Sequence, residues 1–182
     1  MKKELNPNRK YDYITSLNMA HYFCEIGFQL TNFEKEKKNV DVYSFFVGAS
    51  NLGIGIELYL KSFIAFSGTE HIPKTHKLKN LYLQINSQLR DKIVRSCKEK
   101  NIFHNDTKTL YVRGAVDKPN TKSPYKSSKS IEELLEKHSN LFVDFRYMFS
   151  KAREKEEHFI VELENLQIFV NSLEFLTKEI LK

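Results

Sequence analysis

Two residues of this sequence have side chains that could together cleave RNA without a metal ion. Arg153 and His158 are separated by four residues, an R-x4-H pattern. A guanidinium can stabilise the negative charge on a phosphate, and a histidine with a pKa near neutrality can move a proton while the 2′-hydroxyl attacks. We therefore treat Arg153 and His158 as candidate catalytic residues.

The same pair also has a purely structural interpretation. The run KAREKEEH is highly charged, and an R-x4-H spacing arises often by chance in a chain rich in lysine and arginine. On an unbroken helix, five residues turn through about 500°, so the two side chains would point about 140° apart. They converge only if the helix breaks between Arg153 and His158, or if a second subunit supplies one of them.

A second set of polar residues interrupts apolar stretches. Glu57 lies in the run GIGIELYL, and Lys61 follows four residues later on the same helical face, where the two can pair. Arg146 and Tyr147 interrupt the run FVDFRYMF. A buried guanidinium needs a carboxylate, so we predict a core ion pair between Glu57 and Arg146 that fixes helix register. The full set, structural or part of a site, is Glu57, Lys61, His76, Arg146 and Tyr147.

Positive charge is concentrated in one part of the chain, residues 104–129, which we call the basic segment. It holds six basic and two acidic residues, a net charge of +4 in a chain whose total is +6. Such a concentration favours a polyanion, usually nucleic acid, although a solvated loop has the same composition. The candidate nucleic-acid-binding residues are Lys108, Arg113, Lys118, Lys122 and Lys126.

Composition and motif content exclude several classes of protein. The chain has no HExxH or Cys/His cluster, no P-loop, and no GxGxxG or GxSxG pattern, so we expect neither a metal nor a cofactor. Its two cysteines, Cys24 and Cys97, are far apart and lack CxxC spacing, as is typical of buried thiols in a reducing compartment. The basic N-terminus precedes no apolar run, and no apolar stretch is long enough to span a bilayer. We therefore predict a cytoplasmic protein without membrane association.

Length and apolar spacing predict a single helical domain. A chain of 182 residues can bury one core, with residues 1–10 as a flexible N-terminus and residues 11–182 as the domain. We predict an all-α, up-and-down bundle of about five long helices: 11–33, 40–68, about 75–100 with a break near Asn86, one from Ser130 that continues through 158, and one from Phe159 to Lys182. Ser130 and Glu133 form a capping-box pattern. Residues 101–129 are predicted as a long basic loop, in which TLYVRGAV forms a short strand or hairpin arm.

The predicted helix over residues 40–68 organises the others. It is apolar on nearly every side, so we expect neighbouring helices to enclose it. Glycine costs a helix roughly 1 kcal/mol relative to alanine, so a helix with three glycines gains something in return. Small residues at helical spacing would let a neighbouring helix approach closely; they are Gly48, Ala49, Gly53 and Gly55.

The order of three sequence pieces resembles the HEPN family. GIELYLKSFIAFSG, HKLKNLYLQI and DFRYMF match the succession E-x-x-L-K, H-x-L-x-x-L-Y and R-Y over most of the chain. The resemblance implies a helical bundle that commonly dimerises. It also implies metal-independent RNA cleavage through R-x4-6-H, as in toxin–antitoxin and phage-defence systems, and this motif falls on Arg153 and His158. The basic segment is an insertion relative to a compact HEPN domain.

These observations lead to one functional prediction and one alternative. The prediction is a homodimeric HEPN-like protein that acts on RNA as a metal-independent endoribonuclease, with an antitoxin as its protein partner. The alternative is a non-catalytic HEPN module that binds a nucleotide or a protein such as a nucleotidyltransferase, because some members of the family have those roles and lack the catalytic motif. A third interpretation stays open beside these two functions: a scaffold whose polar residues serve only structure.

Overall fold

The computed structural model describes residues 11–31, 42–69, 71–103, 110–113, 126–139, 141 and 158–182, with the backbone alone at 42, 110–113 and 158–160. The helices are α1 (Tyr13–Thr31), α2 (Val42–Phe66), α3 (Leu78–Gln84), α4 (Ser87–Glu99), α5 (Ile131–Lys137) and α6 (Leu163–Ile180). The strands are β1 (Leu110–Arg113) and β2 (His158–Val161). The described part is mostly helical, as predicted, with helices of 7 to 25 residues. The finer prediction of about five long bundled helices stays a prediction. None of the helices in these ranges has both the length and the apolar character needed to cross a membrane.

Helices α1 and α2 are antiparallel and touch backbone to backbone at glycines. A Cβ added to Gly48 would lie 2.9 Å from the carbonyl oxygen of Gly27, and one added to Gly55 would lie 2.9 Å from that of Ala20. Side chains at these positions would push the helices apart. The predicted reason for glycine at Gly48 and Gly55, close approach of a neighbour, is thus confirmed, and Gly27 on α1 completes the contact.

Helix α2 supplies much of the core but is not enclosed on every side. Leu52, Ile56 and Phe63 are fully buried, together with residues from α1 and from α3 to α6. By contrast, Tyr43 is 67% exposed and Val47 54% exposed. The prediction of complete enclosure is wrong at these positions, because Tyr43 and Val47 lie four residues apart on one face of α2, whereas Phe45 and Phe46 in the same turns are buried.

Capping side chains begin two of the shorter helices, α4 and α5, where the sequence predicts, whereas α3 has no side-chain cap. The predicted break lies between α3 and α4, where Asn86 is the N-cap and its Oδ1 accepts a 2.8 Å hydrogen bond from the backbone N–H of Leu89. Ser130 caps α5 by accepting from the N–H of Glu133 at 3.1 Å. The carboxylate of Glu133 reaches one residue further back than in a capping box and accepts from the N–H of Lys129.

The two strands form an antiparallel ribbon with Leu110 opposite Val161 and Arg113 opposite His158. The strand within TLYVRGAV is thus confirmed. Its partner corrects two predictions: the helix from Ser130 does not continue through His158, and the last helix begins at Leu163, not at Phe159. An apolar run of three or four residues such as FIV fits a strand or a helix, and pairing with a distant strand decides between them.

We expect Gly55→Ala to lower the free energy of unfolding by about 1–3 kcal/mol, the usual cost of inserting atoms into a well-packed core. This loss is expected despite the gain of about 1 kcal/mol in helix propensity that alanine brings. The new methyl would overlap Cys24 Sγ and crowd the Ala20 carbonyl. Urea unfolding of Gly55→Ala, Cys24→Ala and the double variant measures this. Removing the sulfur should relieve part of the overlap, so the double variant should lose less than the two single losses combined. A Gly55→Ala protein more stable than the wild type would contradict the close contact.

Candidate functional site

Three of the predicted polar residues meet at one carboxylate. Glu57 Oε1 on α2 accepts a 2.7 Å hydrogen bond from Lys61 Nζ, as predicted, and lies 3.0 Å from Nδ1 of His76 in the loop before α3. The side chains of Glu57 and Lys61 are 13% and 14% exposed, so the pair is largely shielded, whereas the His76 side chain is exposed. These contacts hold the loop before α3 against α2. Arg146, the predicted partner of Glu57, lies outside the described residues, as does Tyr147.

The ribbon brings a predicted nucleic-acid-binding residue beside a predicted catalytic one. Arg113 ends β1, His158 begins β2, and the two are Cα partners in the ladder. Directly paired residues of an antiparallel ladder have Cα atoms about 4.5–5.5 Å apart. Lys126 is exposed, and its carbonyl oxygen accepts a 2.6 Å hydrogen bond from Lys137 Nζ. The other predicted residues of these two sets lie outside the described ranges: Lys108, Lys118, Lys122 and Arg153.

A buried polar network lies at the base of the ribbon, and the sequence analysis missed it. Glu162 directly follows β2 and is completely buried. Its carboxylate accepts hydrogen bonds from Ser128 Oγ at 2.7 Å, from the Ser128 backbone N–H at 3.1 Å and from Asn165 Nδ2 at 2.6 Å. Lys137 Nζ lies 3.6 Å away. A buried carboxylate is costly without such donors, so this cluster fixes the segments that carry them.

His138, the C-cap of α5, joins the network through the backbone. Its Nδ1 lies 2.7 Å from the Leu134 carbonyl oxygen, and its Nε2 accepts a 3.1 Å hydrogen bond from the Glu162 N–H. These partners require the neutral tautomer with the proton on Nδ1. Burial lowers the pKa of His138 below its ordinary value, against the opposing effects of the Leu134 carbonyl and the Glu162 carboxylate.

One sequence signal could have identified Glu162. It stands in the run FIVELEN, an acidic residue flanked by apolar ones. The same signal singled out Glu57. The partners of Glu162 have no such signal, because Ser128 and Asn165 are ordinary in a polar loop and in the first turn of a helix.

A second polar cluster faces a groove between α1 and α6. Glu174 Oε1 lies 2.9 Å from Nδ1 of His21 and 3.5 Å from the hydroxyl of Tyr59, which is buried. Burial raises the pKa of Tyr59, and the neighbouring Glu174 carboxylate adds to the effect. Two hollows of about 170 Å3 and 340 Å3 flank the His21–Glu174 pair. A carboxylate can orient an imidazole as a base. However, Lys178 lines the smaller hollow together with Glu174, whereas Glu25 and Glu174 line the larger one, so the two hollows favour no single ligand class.

Over the ranges that the structure describes, no three histidine, cysteine, aspartate or glutamate side chains are grouped so that they could hold a metal ion. Cys24 and Cys97 are both buried free thiols, and burial raises the pKa of each. Neither is therefore poised as a thiolate.

We expect the free energy of unfolding to fall as the pH is lowered from 7.5 to 5. The folded-state pKa of His138 lies below its ordinary 6.5, so below pH 6.5 the unfolded chain binds more protons than the folded one. The loss should reach at most about 1.4 kcal/mol per pH unit. Urea unfolding of the wild type and His138→Gln at both pH values measures it. The variant, which has no imidazole to protonate, should lose clearly less. Equal losses would contradict a neutral His138.

Comparisons of the chain with family models, with curated proteins and with solved structures find no match. The HEPN resemblance therefore stays a prediction from the three sequence pieces that carry it.

Proposed function

We propose that this protein binds RNA through the basic segment and the ribbon, and that it cleaves the RNA without a metal ion, with His158 as the proton-transfer residue. The observation that carries the proposal is the register pair of Arg113 and His158. It puts a guanidinium-bearing residue next to the candidate histidine without relying on helical spacing.

The strand at His158 also bears on the R-x4-H pattern. An unbroken helix would separate the Arg153 and His158 side chains by about 140°. His158 begins β2 and so is not part of a helix. The helical angle therefore does not decide where its side chain points relative to that of Arg153, and we propose Arg153 as a second cation for the phosphate from the R-x4-H pattern alone.

The reaction that fits these residues is transesterification within the RNA. The imidazole of His158 takes the proton of the 2′-hydroxyl, whose oxygen attacks the adjacent phosphorus. Arginine neutralises the charge that builds on the phosphate oxygens. The bond from phosphorus to the 5′-oxygen breaks, and that oxygen is protonated by the imidazolium or by water. The products are a 2′,3′-cyclic phosphate and a free 5′-hydroxyl.

We expect the purified protein to cleave 5′-labelled total RNA in EDTA, and His158→Ala to be slower by about 10²–10⁴-fold, the usual contribution of general acid–base catalysis. His71→Ala, which removes an exposed loop histidine, is the matched control and should keep full activity. Gel analysis of initial rates measures both. Equal cleavage by wild type and His158→Ala would remove His158 from the chemistry.

Binding is measured separately by fluorescence anisotropy of labelled RNA over a range of salt concentrations. The affinity should fall with salt, and Arg113→Ala should reduce the slope of log K against log salt by about one phosphate contact. Salt-sensitive binding without cleavage would favour the non-catalytic alternative. No binding at low salt would overturn the proposal.

Exposed apolar side chains on α1 favour a protein partner, and we propose that the partner is a second copy of the chain. Met19, Tyr22 and Ile26 are spaced by three and four residues and are 45–63% exposed. Residues at this spacing share one helical face. Such a face stabilises an interface when a partner covers it.

We expect sedimentation velocity to show a dimer for the wild type and a monomer for Ile26→Lys. Ile14→Lys is the matched control, because Ile14 is similarly exposed but lies about 120° around the helix from Ile26. It should remain dimeric. A monomeric wild type, or equal dissociation by both variants, would contradict an interface on this face.

A further inference from the structure

Both ends of the basic segment attach to two neighbouring residues at the start of α6. The backbone N–H of Phe103, which immediately precedes the segment, donates a 3.1 Å hydrogen bond to Asn165 Oδ1. Near the other end, Ser128 donates its N–H and its hydroxyl to the Glu162 carboxylate. A 2.6 Å hydrogen bond from Asn165 Nδ2 to Glu162 Oε2 joins the two attachments.

The first attachment holds an unfavourable backbone conformation. Phe103 has φ +67°, in the left-handed region that side chains with a Cβ rarely adopt. Such a residue persists only where its surroundings enforce it. The buried Asn165, which is 0% exposed, accepts the Phe103 N–H and so fixes the peptide plane on one side of this residue. The network therefore helps to hold the chain at the point where the basic segment begins.

The ribbon supplies a third attachment. β1 lies inside the basic segment and pairs with β2, whose last residue, Val161, is fully buried and directly precedes Glu162. Strands rise about 3.4 Å per residue, so His158 lies about 10 Å along β2 from this anchored end. Three strand residues separate His158 from Glu162, so the anchored position of Glu162 also fixes where His158 lies.

We propose that Glu162 is a positioning residue for RNA: its carboxylate, with Asn165, holds both ends of the basic segment and the base of the ribbon in one arrangement. Arg113 on β1 and Lys126 near Ser128 would then lose less conformational freedom when they bind phosphates. This inference rests on the proposed function, since it assigns to the network the placement of that site. Glu162 itself need not touch RNA.

The variants are chosen to separate placement from folding. Glu162→Gln leaves an oxygen for Ser128 but sets an amide N–H₂ against the Asn165 amide N–H₂. Adding Asn165→Asp restores a donor–acceptor pair and keeps an acceptor for the Phe103 N–H. Glu179→Gln is the matched control, since it removes one carboxylate from the exposed end of the same helix, where Glu179 pairs with Lys92. Ser128→Ala, which deletes a single donor, is the milder second variant should Glu162→Gln not fold.

The first measurement is hydrogen exchange of the full chain without RNA. We expect the β1 and β2 amides to exchange roughly tenfold faster in Glu162→Gln, the sign of local opening, with the α2 amides unchanged. The double variant should restore the wild-type rate, and Glu179→Gln should not alter it. If Glu162→Gln folds and its ribbon amides keep the wild-type exchange rate, the positioning role is overturned. If Glu162→Gln does not fold, the same result in Ser128→Ala overturns it.

The second measurement is RNA affinity by anisotropy at fixed salt. The expected result is weakening of about tenfold for Glu162→Gln, the cost of ordering a few side chains on binding, with recovery in the double variant and no change in Glu179→Gln. Faster exchange with unchanged affinity would overturn the role in RNA binding. A wild type that does not bind RNA would overturn the proposed function, whereas the exchange experiment would still decide whether Glu162 holds the ribbon.

Discussion

A carboxylate with no access to water must be surrounded by donors, and this constraint acts most strongly at Glu162. The donors come from Ser128 and Asn165, and the Glu162 backbone N–H is itself paired with His138. Four segments that are distant in sequence are therefore joined at one point: the end of α4 through Phe103, the stretch before α5, the end of α5, and the junction of β2 with α6. Losing one partner would leave a buried group unsatisfied, which costs more than the net worth of a hydrogen bond. The network thus specifies the arrangement of these segments.

The contact between α1 and α2 depends on close packing of the two helices and not on charge. Gly27, Gly48 and Gly55 remove side chains along the contact, so the helix backbones meet directly. Each glycine costs helix propensity, and dispersion contacts over the closely packed surface offset that cost. This helix pair forms one side of the core: α3 packs against α2 and α6 against α1, whereas α4 contacts α6 and α5 contacts α3 and α6. The polar network lies towards the other end of the chain, where the candidate RNA-binding residues are.

The more exposed ion pairs contribute in a different way. Glu57 with Lys61 and His76, and Glu174 with His21, connect elements at the edge of the core. The side chains of His76 and His21 are exposed, so the pairs that they form are worth little to stability, whereas Glu57 and Lys61 are largely shielded. The value of the first cluster lies in holding the loop before α3 against α2. The second places a carboxylate between an exposed imidazole and the buried Tyr59 hydroxyl. Neither cluster lies on the ribbon that carries the proposed function.

Local patterns in the sequence determined the helices and their boundaries where short-range interactions decide the outcome. Apolar spacing located α1 and α2, Asn86 marked the break between α3 and α4, and Ser130 marked the start of α5. The glycines of α2 indicated close packing, and the Glu57–Lys61 pair followed from a spacing of four. Tertiary structure alone decided that His158–Val161 is a strand, because its stability comes from hydrogen bonds to residues about fifty positions away. It also decided that Glu162 is buried, since Ser128, which donates two of its hydrogen bonds, lies 34 positions away on a segment whose proximity no local pattern encodes.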